Sequence, residues 1–227
     1  MGIVLEMIAR RFPVLLVAAL AMALAGCGTD SDETLTAQTF AAAGKKLLGR
    51  GGSTATGPTG LTRASLATLP LPVDLATIET RRASALIFAA GQNGPVETWT
   101  AIDDKTIAFQ NNQIVATRGL GGDLIAANVP PIAVIAAGTQ SHDRVLVTIG
   151  RDDKTQRSTY YCTLSVAGGQ TITIVERSYA TRRVQENCAG DDGSFTNDYW
   201  FQGGTLRQSR QWVGKNLGHI VIARLRD

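Results

Sequence analysis

The chain has 227 residues, with 22 basic against 19 acidic side chains and a net charge of +3. So nearly balanced a composition leaves no electrostatic footprint for nucleic acid, and no basic stripe stands out along the chain. Hydrophobic residues make up 44%, the ordinary share for a globular protein, and the length allows one or at most two domains.

Arg10 and Arg11 precede an apolar run of 14 residues, 12–25, which leads into Leu24-Ala25-Gly26-Cys27. That run is shorter than the roughly 20 residues a membrane-spanning helix needs. A basic start, a short apolar stretch and small residues at its end describe an export signal. An Ala-x-Ala-like site would mark ordinary secretion. Here Leu-Ala-Gly runs directly into Cys27 and resembles the lipobox of bacterial lipoproteins. The resemblance implies a thioether-linked diacylglycerol on Cys27, cleavage before it and acylation of the new N-terminus. Residues 1–26 are therefore read as a lipoprotein signal peptide. Translation starts at Met1 or at Met7, the latter giving the more usual Met-Ile-Ala-Arg-Arg.

Residues 27–60 are read as lipidated Cys27, tether and N-terminal helix. Residues 28–34 are short and polar, 36–48 carry apolar side chains at mixed helical spacing, and Gly49, Gly51 and Gly52 stop that helix. A second short helix is expected within 61–69, stopped by Pro70 and Pro72. From Val73 onward the pattern becomes short β-prone runs between turn signals: 73–79, 85–90, 96–102, 106–110 and 113–118. After an Ala/Pro-rich interruption follow 144–149, 158–166, 171–177, 181–187, 195–202, 206–213 and 219–226. Asn111-Asn112, Gly168-Gly169 and Gly203-Gly204 look like hairpin joints. No strand alternates with a full helix, which disfavours a parallel α/β sheet. The expected fold is mainly β, an antiparallel barrel-like or sandwich domain with one or two short N-terminal helices, the β-domain covering 61–227.

With Cys27 assigned to lipid, Cys162 and Cys188 remain. In an exported, oxidising setting they read as a disulfide, the alternative being two separate buried thiols. In a meander the two would sit on strands separated by a middle one. Next-nearest strands lie about 9–10 Å apart, beyond the roughly 7 Å a disulfide spans. The bond would then need Cys188 past its strand end or a strongly curled sheet. His142 and His219 are isolated, so no metal site is expected, and no cofactor.

Several separated motifs occur in a recognisable order. They are Thr98-Trp99, Thr117-Arg-Gly-Leu-Gly121 with Asp123-Leu124, Cys162-Thr-Leu, Thr173-Ile-Val-Glu-Arg177, Val184-Gln-Glu-Asn-Cys188, Phe195-Thr-Asn-Asp-Tyr-Trp200 and Ser209-Arg-Gln-Trp-Val213. With the lipobox, they resemble the YjbF/GfcB family of lipoproteins, associated with group 4 capsule and exopolysaccharide production. The resemblance covers roughly 61–227. It implies an outer-membrane lipoprotein with a barrel-like β fold, encoded among polysaccharide export proteins, and no catalytic residues. Gly28 after the lipidated cysteine favours the outer membrane, with the domain facing the periplasm. The partners it implies are that membrane, through the lipid, and polysaccharide or polysaccharide-export proteins.

Two sets of residues are candidates for ligand contact. Arg118, Gly119 and Asp123 lie in a Gly-rich stretch whose glycines permit close approach; the plainer and favoured reading is a turn with Asp123 as a cap. Trp99, Trp200 and Trp212 are able to stack on sugar rings, although large aromatics more often fill a core. Catalysis is disfavoured. The pairs Asp103-Asp104, Asp152-Asp153 and Asp191-Asp192 are sequence neighbours in turns, where glycosidase chemistry needs facing carboxylates. Ser141-His142-Asp143 are likewise adjacent, whereas a triad converges in space. A lipid-anchored interaction module in general envelope assembly is the alternative reading.

Overall fold

A computed structural model describes residues 60–69, 72–150, 154–190 and 192–225. The segments read as signal peptide and tether, with Cys27 and the helix expected at 36–48, lie outside the described residues. Helix α1, Arg63–Ala67, forms within the expected 61–69. Thr62 starts it with a reciprocal cap: its hydroxyl accepts from the Ser65 amide at 3.1 Å, while the Ser65 hydroxyl accepts from the Thr62 amide at 3.0 Å.

Five strands follow: β1 Val73–Ile78, β2 Ala83–Asn93, β3 Val96–Thr100, β4 Thr106–Gln110 and β5 Gln113–Arg118. Next come β6 Leu124–Ala127, helix α2 Ile132–Ala137 and β7 Ser141–Ile149. The last five are β8 Thr155–Ile174, β9 Arg177–Gly190, β10 Gly193–Gln202, β11 Thr205–Trp212 and β12 His219–Arg224. All twelve join one sheet in the order β5-β4-β3-β2-β1-β12-β11-β10-β9-β8-β7-β6. Every neighbouring pair is antiparallel. The first and last strands pair, β1 with β12, and the curl brings the two edges β5 and β6 together. The result is a nearly closed barrel, which settles the choice between barrel and sandwich.

Side chains stitch the β5–β6 seam where no ladder forms. Thr117 Oγ1 accepts from the Leu124 amide at 3.1 Å and donates to Asp123 Oδ1 at 2.7 Å. Asp123 also accepts from the amides of Gly119 and Leu120. The Arg118 guanidinium reaches the Leu124 carbonyl at 3.2 Å, Gln113 donates to the Pro130 carbonyl at 2.6 Å, and the Ile114 amide is taken by Gln211 Oε1 at 2.9 Å. An open edge would leave these groups unpaired.

Three expectations change. The Ala/Pro-rich interruption holds β6 and α2, which its lack of a clear period concealed. Gly168-Gly169 is no hairpin joint: it is a bulge inside the 20-residue β8, with a register shift between Val166 and Gly168. The reversal comes later, at Val175 and Glu176, both with positive φ. Consequently β8 and β9 are direct neighbours and no middle strand separates the cysteines. Cys162 faces Cys188 across the ladder at a Cα–Cα distance of 4.0 Å, and the two form a disulfide.

Alternation along the strands builds two cores. Ala76, Ile87, Trp99, Leu146, Tyr160, Cys162, Cys188, Phe195 and Ile220 pack together inside the barrel. Their strand neighbours Val73, Leu86, Phe88, Trp200, Ala223 and Leu225 form a second cluster on the outer face, roofed by Leu66 of α1 and by Ile172, Ile174 and Tyr179 from the tip of the β8–β9 hairpin. The bulge turns the hairpin to make this roof. Helix α2 packs Ile135 against Leu164, Val184, Tyr199 and Phe201.

Candidate functional site

Described residues bound a cavity of about 350 Å³ at one end of the barrel. It is built where β7 ends, β8 and β10 begin and β11 turns into β12. Trp212, Tyr160, Gln156, Ser158, Asp192, Lys215 and Asn216 face it. The Trp212 indole is backed by Phe195, stacked at 5.8 Å and 14°, and meets the edge of His219 at 5.1 Å. Burial and the nearby Arg210 charge push the His219 imidazole below its ordinary value. Lys215 donates to Asp192 Oδ1, and the Ser158 hydroxyl to Asp192 Oδ2 at 3.2 Å. The Lys215 hydrogen bond holds the Asp192 carboxyl below the usual range, and the same bond raises the Lys215 ammonium. Asn216 donates to the Ile149 carbonyl at 3.2 Å, fixing the β11–β12 loop to the end of β7. Gly122 lies against Asn216; its φ is +79°, and a Cβ there would stand 2.4 Å from Asn216 Cβ. No side chain fits that approach.

Deeper in the barrel, the Glu186 carboxylate is fully buried and saturated with donors. Arg144 grips it through Nε at 2.9 Å and Nη2 at 3.1 Å. Asn197 donates at 2.7 Å and Tyr199 at 3.0 Å, while His142 Nε2 lies at 2.7 Å. Burial alone would raise this carboxyl, yet the Arg144 charge and the hydrogen bonds hold it down to about 2. Burial, then the Glu186 charge, drives the Tyr199 hydroxyl well above its ordinary value. Asn197 carries the order outward: its Oδ1 accepts the backbone amide of Trp212 at 2.7 Å. His142, Cys162 and Glu186 bring donor atoms within 4.8 Å of one another. The Cys162 sulfur is spent in the disulfide and Glu186 is occupied by Arg144, so this proximity is not a prepared metal site.

A second, much smaller cleft of about 30 Å³ is lined by Asp74, Glu97, Trp99, Phe109 and Arg224. Burial pushes the Asp74 carboxyl up to about 6, against the opposing charge of Arg224. The cleft pairs two carboxylates with a tryptophan, but its volume accepts a water or two and no sugar ring.

The ligand candidates are scattered among these places. Trp212 lines the large cavity. Trp99 lies in the small cleft, edge-on to Phe109 at 6.2 Å, its Nε1 3.4 Å from Glu97. Trp200 is buried on the outer face beneath the hairpin, donating to Gln170 Oε1 at 2.8 Å, with Arg183 5.5 Å over its ring. Arg118, Gly119 and Asp123 stitch the seam, and only their neighbour Gly122 reaches the cavity. The network around Glu186 escaped the sequence reading. One signal was there: Glu186 alternates with Val184 and Cys188, so a charged residue sits on the inward face of β9.

No curated protein matches this chain. A similar solved structure is that of the hypothetical lipoprotein YmcC from Escherichia coli (K12), with a TM-score of 0.68 and 17% identity over 88% of this chain and 97% of YmcC. At that identity the likeness speaks for the fold. Residues 32–225 match the family model described as group 4 capsule polysaccharide lipoprotein gfcB, YjbF. With most of its length matched, the chain belongs to the YjbF family of group 4 capsule polysaccharide lipoproteins.

Proposed function

We propose that this protein is anchored by Cys27 to the periplasmic face of the outer membrane. There it supports assembly or export of capsular polysaccharide or exopolysaccharide by binding, without performing chemistry on the polymer. Family membership over residues 32–225 is the observation that carries the reading. Packing inside the barrel favours binding over conduction. Twelve strands can enclose a lumen, but here the interior is filled by the Cys162–Cys188 bridge, Tyr160, Phe195, Trp99 and the Arg144–Glu186 pair. A polymer therefore meets this protein at its outer surfaces and mouth. The two carboxylates that share a cleft, Asp74 and Glu97, have no space between them for a glycosyl unit, which weighs against glycosidase chemistry there.

Deleting the gene should reduce surface polysaccharide while its cytoplasmic synthesis continues. Unchanged surface polysaccharide in a clean deletion would overturn the reading. Cys27→Ala should release the protein into the soluble periplasmic fraction; a variant still sedimenting with membranes would refute the anchor.

A further inference from the structure

We propose that the 350 Å³ cavity at the barrel mouth is a subsite for a single uncharged pyranose residue, held over the Trp212 indole. This deepens the reading above and rests on it for the identity of the polymer. The volume lies near the low end of the roughly 300–1,000 Å³ of ligand pockets, which suits one ring of a chain more than an extended segment. A pyranose presents an apolar C–H face and a rim of hydroxyls, and the lining answers both. The apolar side is Trp212, whose other contacts, Phe195 and His219, brace the ring. The polar side is Gln156, Ser158 and Asn216, together able to donate and accept.

Charge narrows the ligand class. Asp192 and Lys215 are the charged side chains among the described lining residues, and they are paired with each other. Their charges cancel, so nothing in this lining favours a carboxylate or phosphate over a neutral hydroxylated ring. The platform is also preorganised. The Trp212 amide is tied to Asn197, Asn197 to Glu186, and Glu186 to Arg144. Gly122, pressed on Asn216, fixes the opposite rim. A site already ordered loses less conformational freedom when a ligand arrives.

The test uses the full-length lipidated protein in micelles of a sugar-free detergent, with saturation-transfer NMR on methyl β-D-glucopyranoside, methyl β-D-galactopyranoside and D-glucuronate. Transfer to the ring protons of at least one neutral glycoside is expected, with millimolar affinity. Trp212→Leu should weaken it about tenfold. Because that variant alters packing, Gln156→Ala and Asn216→Ala serve beside it; each should weaken binding about threefold, Gln156→Ala with the thermal midpoint unchanged. No transfer from either neutral glycoside up to about 10 mM, equal binding in all three variants, or tighter binding of glucuronate would each overturn the proposal. Failure here with capsule still lost on deletion rejects the subsite alone. Binding with capsule intact on deletion rejects the export role alone.

Discussion

Asp74 and Glu186 are both buried carboxylates inside the same barrel, and they are driven in opposite directions. Asp74, 7% exposed, is pushed up to about 6, and Glu186, 0% exposed, is held down to about 2. Desolvation is the largest influence on each, so burial does not separate them. What differs is the company. Around Glu186 of β9, strands β7 and β10 converge a bidentate arginine, an amide, a phenol and an imidazole. Asp74 has the charge of Arg224 and one backbone hydrogen bond, while Glu97 nearby repels it. Number and geometry of donors, not depth, decide whether an interior acid stays ionised.

The largest break in that comparison is Arg144→Met. It removes the arginine while leaving the carboxylate buried, and should cost about 3–5 kcal/mol in denaturant unfolding. Glu186 would then behave like Asp74, and acid would restore part of the loss. Next comes Asp74→Asn. A carboxyl whose folded value is raised binds its proton more tightly in the native state, so its contribution falls as pH rises from about 3.8 toward 6. The asparagine variant should therefore be more stable than the parent above about pH 7, by on the order of 3 kcal/mol at most, with the gain vanishing below about pH 4. Glu186 carries the reverse sign. Its folded value is depressed, so its contribution is present above about 4.5 and lost as pH falls toward 2. Unfolding curves of Asp74→Asn should thus show a cleaner acid limb than those of the parent; matching limbs would contradict the contrast. The smallest effect is expected from Asn112→Gly. Glycine suits the positive φ of the β4–β5 turn, but the change removes the Asn112 Oδ1 that accepts from Arg224 at 3.2 Å. Stability should move by no more than about 0.5 kcal/mol, while the Asp74 carboxyl, followed by NMR titration, shifts slightly downward as Arg224 is freed toward it.

How far the fold was readable depends on where each reversal gets its stabilisation. Asn111-Asn112 and Gly203-Gly204 announce their turns by residue type, and the chain reverses at both, with φ of 52° and 59° at the first pair and 56° and 106° at the second. The β8–β9 reversal uses Val175 and Glu176 at φ of 42° and 63°, conformations in which a β-branched residue is rare. Nothing local signals it. It is held from outside: Arg63 of α1 donates from Nε to the Val175 carbonyl at 2.7 Å and also to Ile174, and the Glu176 carboxylate accepts the Arg63 amide at 3.1 Å. Gly168-Gly169, the stronger turn signal, serves instead to bend a strand that continues. The site was legible to the same degree. Trp212 was singled out by residue type. Its partners Asn216, Gly122 and Asp192 come from three different loops and carry no common motif.

The sequence by itself determined what is local and periodic. Alternation marked most strands and set Cys162 on an inward face, and the ordered motifs marked the family. Tertiary structure alone decided what closure brings together. Pairing of β1 with β12 curls the sheet, the curl lays β5 against β6, and the long hairpin sets Cys162 opposite Cys188. Which donors meet Glu186, and which tryptophan borders open space, follow from that curl. A period of two says which way a side chain points. It says nothing about which distant strand stands opposite.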